Sequence, residues 1–448
     1  MKLPAGLARS SFRWRNSKVG NVGILPKGVN QMDTFEVAKK SGSVNKLKRN
    51  LNRRAFVKSA AAAAAAFTIV KSSLVWGAEA NSKVEVGVIG LGGRGSLIAG
   101  MLNAHKGFKV VSVADYFPEV AQRVGDNLNV PQERRFSGLS AYKKLIAGKV
   151  DAVFLETPPC FFPEHCAAAI EAACHVYMAK PVAIDVPGCL AVSQLGKKAA
   201  AGKLVFLVDF QTRTDPFIIE SVKHCHEGLI GKLVLLSSLY ADEAFPDPPK
   251  TETVESRLQS LIWVNDIELG GGMLVNAGIH AIDLALWIAK ARPKNASGCA
   301  RTGKPEPHGD TCDVYSITYQ FEDGLILNHR GEHINNTHGF ACNCFAFGQY
   351  GYMEADYEGK AWVRGNKGGY RGGEVKNLYV DGISRNLDTF HKNITEGIYD
   401  NPTVQSSVDS TLATILGSEA GRRNTMLTMD EVIKENKKIE TNLKGLKE

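Results

Sequence analysis

From residue 84 onward, short unbroken apolar runs alternate with longer stretches that carry apolar residues at helical spacing. Val84-Glu85-Val86-Gly87-Val88-Ile89 is patterned as a buried strand, and a helical stretch over 96–104 follows. The alternation then predicts a strand over 110–114, a helix over 141–147, a strand over 152–156, a helix over 163–173, a strand over 176–178, a helix over 186–201 and a strand over 204–208. Strand-helix units of this length predict a parallel, doubly wound sheet, and in such sheets the ligand lies beyond the carboxyl ends of the strands. After residue 211 the pattern changes. Residues 233–241, 314–330 and 342–364 are rich in β-branched and aromatic positions, and Glu322-Asp323-Gly324 marks a hairpin between two of these runs. The expected fold class is α/β, with a Rossmann domain at 81–210 and a second α/β domain at 211–448.

The turn after the first strand carries the first candidate chemistry. Gly90-Leu91-Gly92-Gly93-Arg94-Gly95 is a GxGxxG sequence between a strand and a helix, the context in which it cradles a pyrophosphate on free helix N–H groups. Asp115 closes the second strand about 20 residues later, where a carboxylate accepts hydrogen bonds from the adenosine ribose and repels a 2′-phosphate. NAD is thus expected, with NADP disfavoured. The loops Thr157-Pro158-Pro159 and Ala179-Lys180-Pro181 follow later strands and are expected beside the nicotinamide.

Charge changes the picture only at the amino-terminal end. The formal net charge is +8, but residues 1–80 hold 15 Lys plus Arg against 3 Asp plus Glu, leaving 39 against 43 for the rest. A mildly acidic body removes the main support for nucleic-acid binding. Asn52-Arg53-Arg54-Ala55-Phe56-Val57-Lys58, a modest apolar stretch over 60–70 and Ala78-Glu79-Ala80 together resemble a twin-arginine signal peptide. The expectation is export to the periplasm, or an equivalent compartment, through the twin-arginine machinery. Residues 1–50 exceed the usual length of a signal n-region, which leaves Met32 as an alternative start. The nine cysteines form no CxxC pair, and Cys342 and Cys344 are patterned as small buried hydrophobes on one strand face.

Several further motifs, taken in order, resemble the Gfo/Idh/MocA family, named for glucose-fructose oxidoreductase and inositol dehydrogenase. His175-Val176-Tyr177-Met178-Ala179-Lys180-Pro181 is similar to the family's strand ending in Glu-Lys-Pro, with Ala179 in place of the glutamate. Thr157-Pro158-Pro159 is similar to its Thr-Pro loop, and Gln211-Thr212-Arg213 to its passage into the second domain. The segment from Gly270 to Asp283 resembles the one that carries the catalytic histidine, here His280, with Asn276 where many members have aspartate. Leu387-Asp388-Thr389-Phe390-His391 and Glu419-Ala420-Gly421-Arg422 resemble the closing helices. The resemblance implies a carboxy-terminal domain with an open, mainly antiparallel sheet that covers the nicotinamide and often supports homo-oligomers.

Hydride transfer at a carbinol carbon needs a proton acceptor and a group that stabilises the developing oxyanion. The resemblance maps Lys180 to the catalytic lysine and His280 to the general base. Asp283 lies three residues after His280 on a predicted helix, so it shares a face with the histidine and is expected to orient it. Asn276 hydrogen-bonds a substrate hydroxyl or the histidine without carrying the charge of an aspartate. The expected catalytic set is therefore Lys180, His280, Asn276 and Asp283. Gly90, Leu91, Gly92, Gly93, Arg94, Gly95, Asp115, Thr157, Pro158, Lys180 and Pro181 are expected to hold the cofactor. Lys180, Arg213, Asn276, His280, His329 and His333 are expected to meet a sugar, glycoside or polyol. A metal at His329 and His333 ranks below substrate contact, on the reading that they share a face only on a helix.

An exported enzyme cannot exchange NADH with a cytoplasmic pool, so the cofactor is expected to remain bound. Two cycles fit that condition. One is net hydride exchange between two carbonyl compounds. The other is a redox-neutral glycosidase, lyase or epimerase reaction through a keto-sugar.

Overall fold

Six strands open the structure, which is a computed structural model describing residues 83–243, 255–258, 262–304, 310–336 and 338–448. The leader over residues 1–80 lies outside the described residues. Strands β1 (Val84–Ile89), β2 (Phe108–Asp115), β3 (Arg135–Ser137), β4 (Ala152–Leu155), β5 (His175–Ala179) and β6 (Phe206–Asp209) form one sheet in the order β3-β2-β1-β4-β5-β6. Every neighbouring pair is parallel. Helices such as Gly93–Ala104 and Val186–Ala201 return the chain between strands, so both faces of the sheet are covered and its strands are unbroken apolar runs. The order reverses beside β1. All the β1, β4 and β5 carboxyl ends therefore open on one crevice.

Among the described residues the second sheet has nine strands. They are β7 (Leu233–Asp242), β8 (Asn295–Arg301), β9 (Val314–Gln320), β10 (Ile326–His333), β11 (Ala341–Gly348), β12 (Gly351–Asp356), β13 (Lys360–Gly365), β14 (Gly368–Glu374) and β15 (Leu427–Thr428), in the order β14-β13-β12-β11-β7-β10-β9-β8-β15. Only β7 and β10 run parallel; the other pairs are antiparallel. The hairpin expected at Glu322-Asp323-Gly324 joins β9 to β10, with Gly324 at φ 87°. One face packs on helices Pro216–His226, Ile279–Ala289 and Thr403–Arg423. The other carries a row of half-buried aromatic rings, Phe345, Phe347, Tyr352 and Trp362, with successive centroids 6.3, 6.2 and 4.9 Å apart.

Two helices from the carboxy-terminal part of the chain return to the first sheet. Helix Leu378–Glu396 buries Ile383, Leu387 and Phe390 in the Rossmann core, where Phe390 meets Phe154 edge-on at 5.5 Å and Tyr177 at 5.6 Å. Helix Thr403–Arg423 packs on both Val186–Ala201 and β8. These contacts tie the carboxyl ends of β4, β5 and β6 to the second sheet, and the site is built there.

Candidate functional site

The glycine turn folds as its spacing requires. Gly90 has φ 88°, and a Cβ on it would stand 2.6 Å from the Glu156 backbone. A Cβ on Gly95 would stand 1.9 Å from the Gly90 carbonyl oxygen, so helix and strand approach closely only because both residues lack one. Gly92 faces open space and leaves the start of helix Gly93–Ala104 without a side-chain cap. Asp115 braces the turn by accepting from the Leu91 amide at 2.7 Å and the Phe117 amide at 2.9 Å. Each carboxylate oxygen still has acceptor capacity for a ribose hydroxyl.

Gly90, Leu91, Gly92, Gly93, Asp115, Thr157 and Pro158 all line one cleft of ≈ 500 Å³. Uncapped helix amides, an open glycine and an acid at the end of β2 fit a dinucleotide with free ribose hydroxyls. Sequence reasoning missed Tyr116, Glu156, His165 and Trp263 in the same walls. Of these only Glu156 carried a signal, an acid directly after an apolar strand.

At the carboxyl end of β5, the Lys180 ammonium donates to the Asn276 backbone oxygen at 2.6 Å. Asn276 lies in a π-helical turn, Leu274–Gly278, that leads straight into helix Ile279–Ala289 and thereby brings His280 beside Lys180. Burial first, and then the Arg94 guanidinium, push Lys180 down to about 7, against the opposing pull of Asp209, Cys342 and Glu156. Burial, with Lys180 and Arg94 adding to it, holds His280 well below the usual imidazole range. The imidazole packs edge-on to Tyr357 at 4.8 Å and Phe210 at 6.0 Å, and neither its Nδ1 nor the Asn276 amide nitrogen has a hydrogen-bond partner among the described residues.

His280 opens on a second pocket of ≈ 480 Å³ with walls that include Tyr240, Phe340, Tyr357 and Tyr379 and a rim at Lys376. Aromatic walls of this kind stack on the C–H faces of a ring while a few polar groups fix its hydroxyls. These residues come from β7, from the loop before β11, the β12–β13 turn, the loop after β14 and a helix start, so no local spacing announces them.

The structure departs from six of these expectations. Asp283 does not orient His280: its carboxylate takes both Arg213 Nε and Nη2 at 2.9 Å and Ser410 Oγ at 2.7 Å. Arg213 is thereby withdrawn from substrate and stacks over Trp287. His329 and His333 lie on β10, where a two-residue period puts positions four apart on one face, so they do share a face without a helix. That face is buried: His329 Nδ1 meets Ser238 Oγ at 2.9 Å, burial pushes the ring down to about 3, and neither histidine lines either cavity. Arg94 turns away from the dinucleotide cleft to pair with Asp209, with Glu156 at 3.3 Å, and over the Tyr379 ring. Lys180 and Pro181, joined by a cis bond, are not among the residues that line this cleft.

Comparison with known proteins identifies the frame. Residues 84–207 match the family described as "Oxidoreductase family, NAD-binding Rossmann fold" (GFO_IDH_MocA), and residues 222–371 match the GFO/IDH/MocA C-terminal domain. The chain belongs to the Gfo/Idh/MocA family. This Gfo/Idh/MocA protein is 24% identical over 281 residues to inositol 2-dehydrogenase of Rhizobium meliloti (strain 1021), a match spanning 61% of the chain and 76% of that relative. It is also 24% identical to the NAD(+)-dependent scyllo-inositol 2-dehydrogenase of Bacillus subtilis (strain 168), over 54% of the chain and 65% of that relative. Its fold is that of levoglucosan dehydrogenase, solved with NADH and L-sorbose, at a TM-score of 0.64 and 18% identity over 78% of the chain and 100% of that structure. The Gfo/Idh/MocA protein is thus an NAD-dependent oxidoreductase with the expected α/β architecture.

Proposed function

We propose that the protein moves hydride to or from the CH–OH or keto carbon of a sugar, glycoside or polyol, with its NAD retained through the cycle. The observation that carries this reading is the junction of Lys180 with the His280 segment at the 2.6 Å hydrogen bond to Asn276. When bound, NAD supplies the hydride acceptor or donor. Lys180, shifted into the neutral range, is the proton acceptor best matched to a hydroxyl oxidised near pH 7. His280 stays neutral and hydrogen-bonds the substrate oxygen. The unpartnered Asn276 amide donates to a neighbouring hydroxyl, and the aromatic walls exclude water.

Retention has its own support. After helix Met429–Glu435 the chain runs back along the surface as a strap. Ile439 N–H donates to Asp185 at 2.9 Å, Thr441 Oγ1 to the Glu268 carbonyl at 2.8 Å, and Lys447 N–H to Tyr116 Oη at 3.2 Å. The Leu139 amide then donates to the Lys447 carbonyl at 2.9 Å. Tyr116 and Leu139 are walls of the dinucleotide cleft, at the Asp115 end. A strap anchored there hinders release of the adenosine half, and a captive cofactor is what export and the redox-neutral alternative both require.

We also propose export by the twin-arginine route and a homo-oligomer formed through the aromatic row on the open sheet face. Light scattering is expected to give a multiple of the chain mass, with Phe347→Glu shifting it toward the monomer; a wild-type monomer contradicts the assembly.

The deciding test is to purify the exported form, dialyse it exhaustively, denature it and quantify the nucleotide released. About one NAD(H) per chain is expected, and the variant lacking residues 437–448 is expected to release it about 10-fold faster, on the order of 1.4 kcal/mol. An empty protein, or no effect of the deletion, overturns retention. Cleavage of a glycoside without net NADH would select the redox-neutral cycle; hydride exchange between two carbonyl compounds selects the net one.

A further inference from the structure

The alanine that replaces the family's glutamate has charged neighbours on both sides. Leu155 pairs with Met178 and Ala179 pairs with Asp209, so Glu156, one residue beyond β4, stands level with Ala179. In a parallel sheet, partners in register point to the same face. Positions 156, 179 and 209 therefore form a row across the carboxyl ends of β4, β5 and β6, with carboxylates at the two ends and a methyl group between them.

Arg94 spans that gap, pairing with Glu156 and Asp209 together. The small side chain at 179 leaves room for the guanidinium between the two acids. The two acids are held differently. Asp209 is committed: besides Arg94, its Oδ1 accepts from Gln211 Nε2 at 2.9 Å and Asn386 Nδ2 at 2.6 Å. Glu156 has only the 3.3 Å ion pair, neither oxygen makes a hydrogen bond among the described residues, its side chain is 1% exposed, and it lines the dinucleotide cleft.

We propose that Glu156 is a positioning residue that supplies, from the neighbouring strand, the carboxyl missing at Ala179, and that its gain and loss of a proton sets the charge beside Lys180. The inference rests on the reading of Lys180 as the proton-transfer group. Lys180 faces Arg94, Asp209, Cys342, Glu156 and the neutral His280. Glu156 faces Arg94, Asp209 and Lys180, and burial pushes it up to about 8 with Asp209 adding and Arg94 opposing. Asp209 is held by Arg94, Gln211 and Asn386 while Glu156 has the one ion pair, so Glu156 is the member of the row whose carboxyl is open to a proton. The pair Lys180 and Glu156 then titrates in two coupled steps.

Two measurements test this. In protein labelled with ¹³C-glutamate, with and without added NAD, infrared spectroscopy is expected to show one protonated glutamate carboxyl at pH 7 that ionises as the pH passes about 8, and Glu156→Asp is expected to remove that labelled band. In kcat/KM profiles, Glu156→Gln is expected to reduce two ionisations to one, while Glu156→Gln with Ala179→Glu recovers the second. Labelled carboxyls that are all ionised at pH 7, or a Glu156→Gln profile with both ionisations, overturn the assignment. The infrared titration in a protein that oxidises no CH–OH compound supports the placement of Glu156 while sinking the proposed function; activity without it does the reverse.

Discussion

Lys180→Met is expected to lower kcat by roughly 10²–10⁴-fold, the range in which a positioned proton-transfer group contributes. Methionine keeps the length and apolar stem of lysine, so β5 and the packing around Ala179 should survive. The variant lacks both the Nζ proton acceptor and the 2.6 Å bond to the Asn276 carbonyl. The sign of the pH dependence follows from burial. Lys180 is lowered to about 7, so its base form grows as the pH rises through that value, and oxidation by the wild type should rise with it. In Lys180→Met that limb should vanish. The measurement is a pH series of steady-state oxidation together with NAD content. A variant that keeps kcat within tenfold and retains the limb would move the proton-acceptor role to His280.

The same lysine makes stability pH-dependent. An unfolded lysine titrates near 10.4, so between about pH 7 and that value the unfolded chain binds more protons at this site than the folded one. Stability from this group therefore increases with pH across that window and is flat below it.

Asp283→Ala is expected to cost about 3–5 kcal/mol of stability, the typical result of removing one partner of a buried pair. The Asp283 side chain is fully buried, and its loss strands both the Arg213 guanidinium and Ser410 Oγ. Arg213 sits in the turn Thr212–Thr214 after β6, Asp283 sits on the His280 helix, and Ser410 sits on Thr403–Arg423. The triad thus clamps three elements under the site. Chemical denaturation should show the loss, while Arg213→Met combined with Asp283→Leu should recover part of it because no charge is left buried alone. The folded fraction of Asp283→Ala should keep the wild-type pH profile. A changed profile with unchanged stability would restore Asp283 as the partner of His280.

Much of the frame was legible in the chain itself. The helix over 141–147 and the helix over 186–201 fall where apolar spacing puts them, and the glycine turn, Asp115 and Thr157-Pro158 meet in one cleft as their order along the chain implies. Strand ends drifted by one or two residues: β2 starts at Phe108 and β5 at His175. β8 and β14 went unseen, since Asn295–Arg301 and the glycine-rich Gly368–Glu374 carry little apolar alternation and form strands because a neighbouring edge is there to pair with.

The amino-acid order by itself determined the periodicities, the doubly wound sheet, the dinucleotide turn and the family, because each depends on residues within a few turns or on motifs in sequence. Tertiary structure alone decided the partners. Asp283 belongs to Arg213, 70 residues away, and not to His280 three residues away. Arg94 belongs to Asp209 across 115 residues, His329 to the core, and residues 437–448 to the rim of the cleft. A helical face tells which side chains can meet, but a buried charge goes to whichever opposite charge packing brings within reach, since leaving it unpaired costs more than any local geometry offers in return.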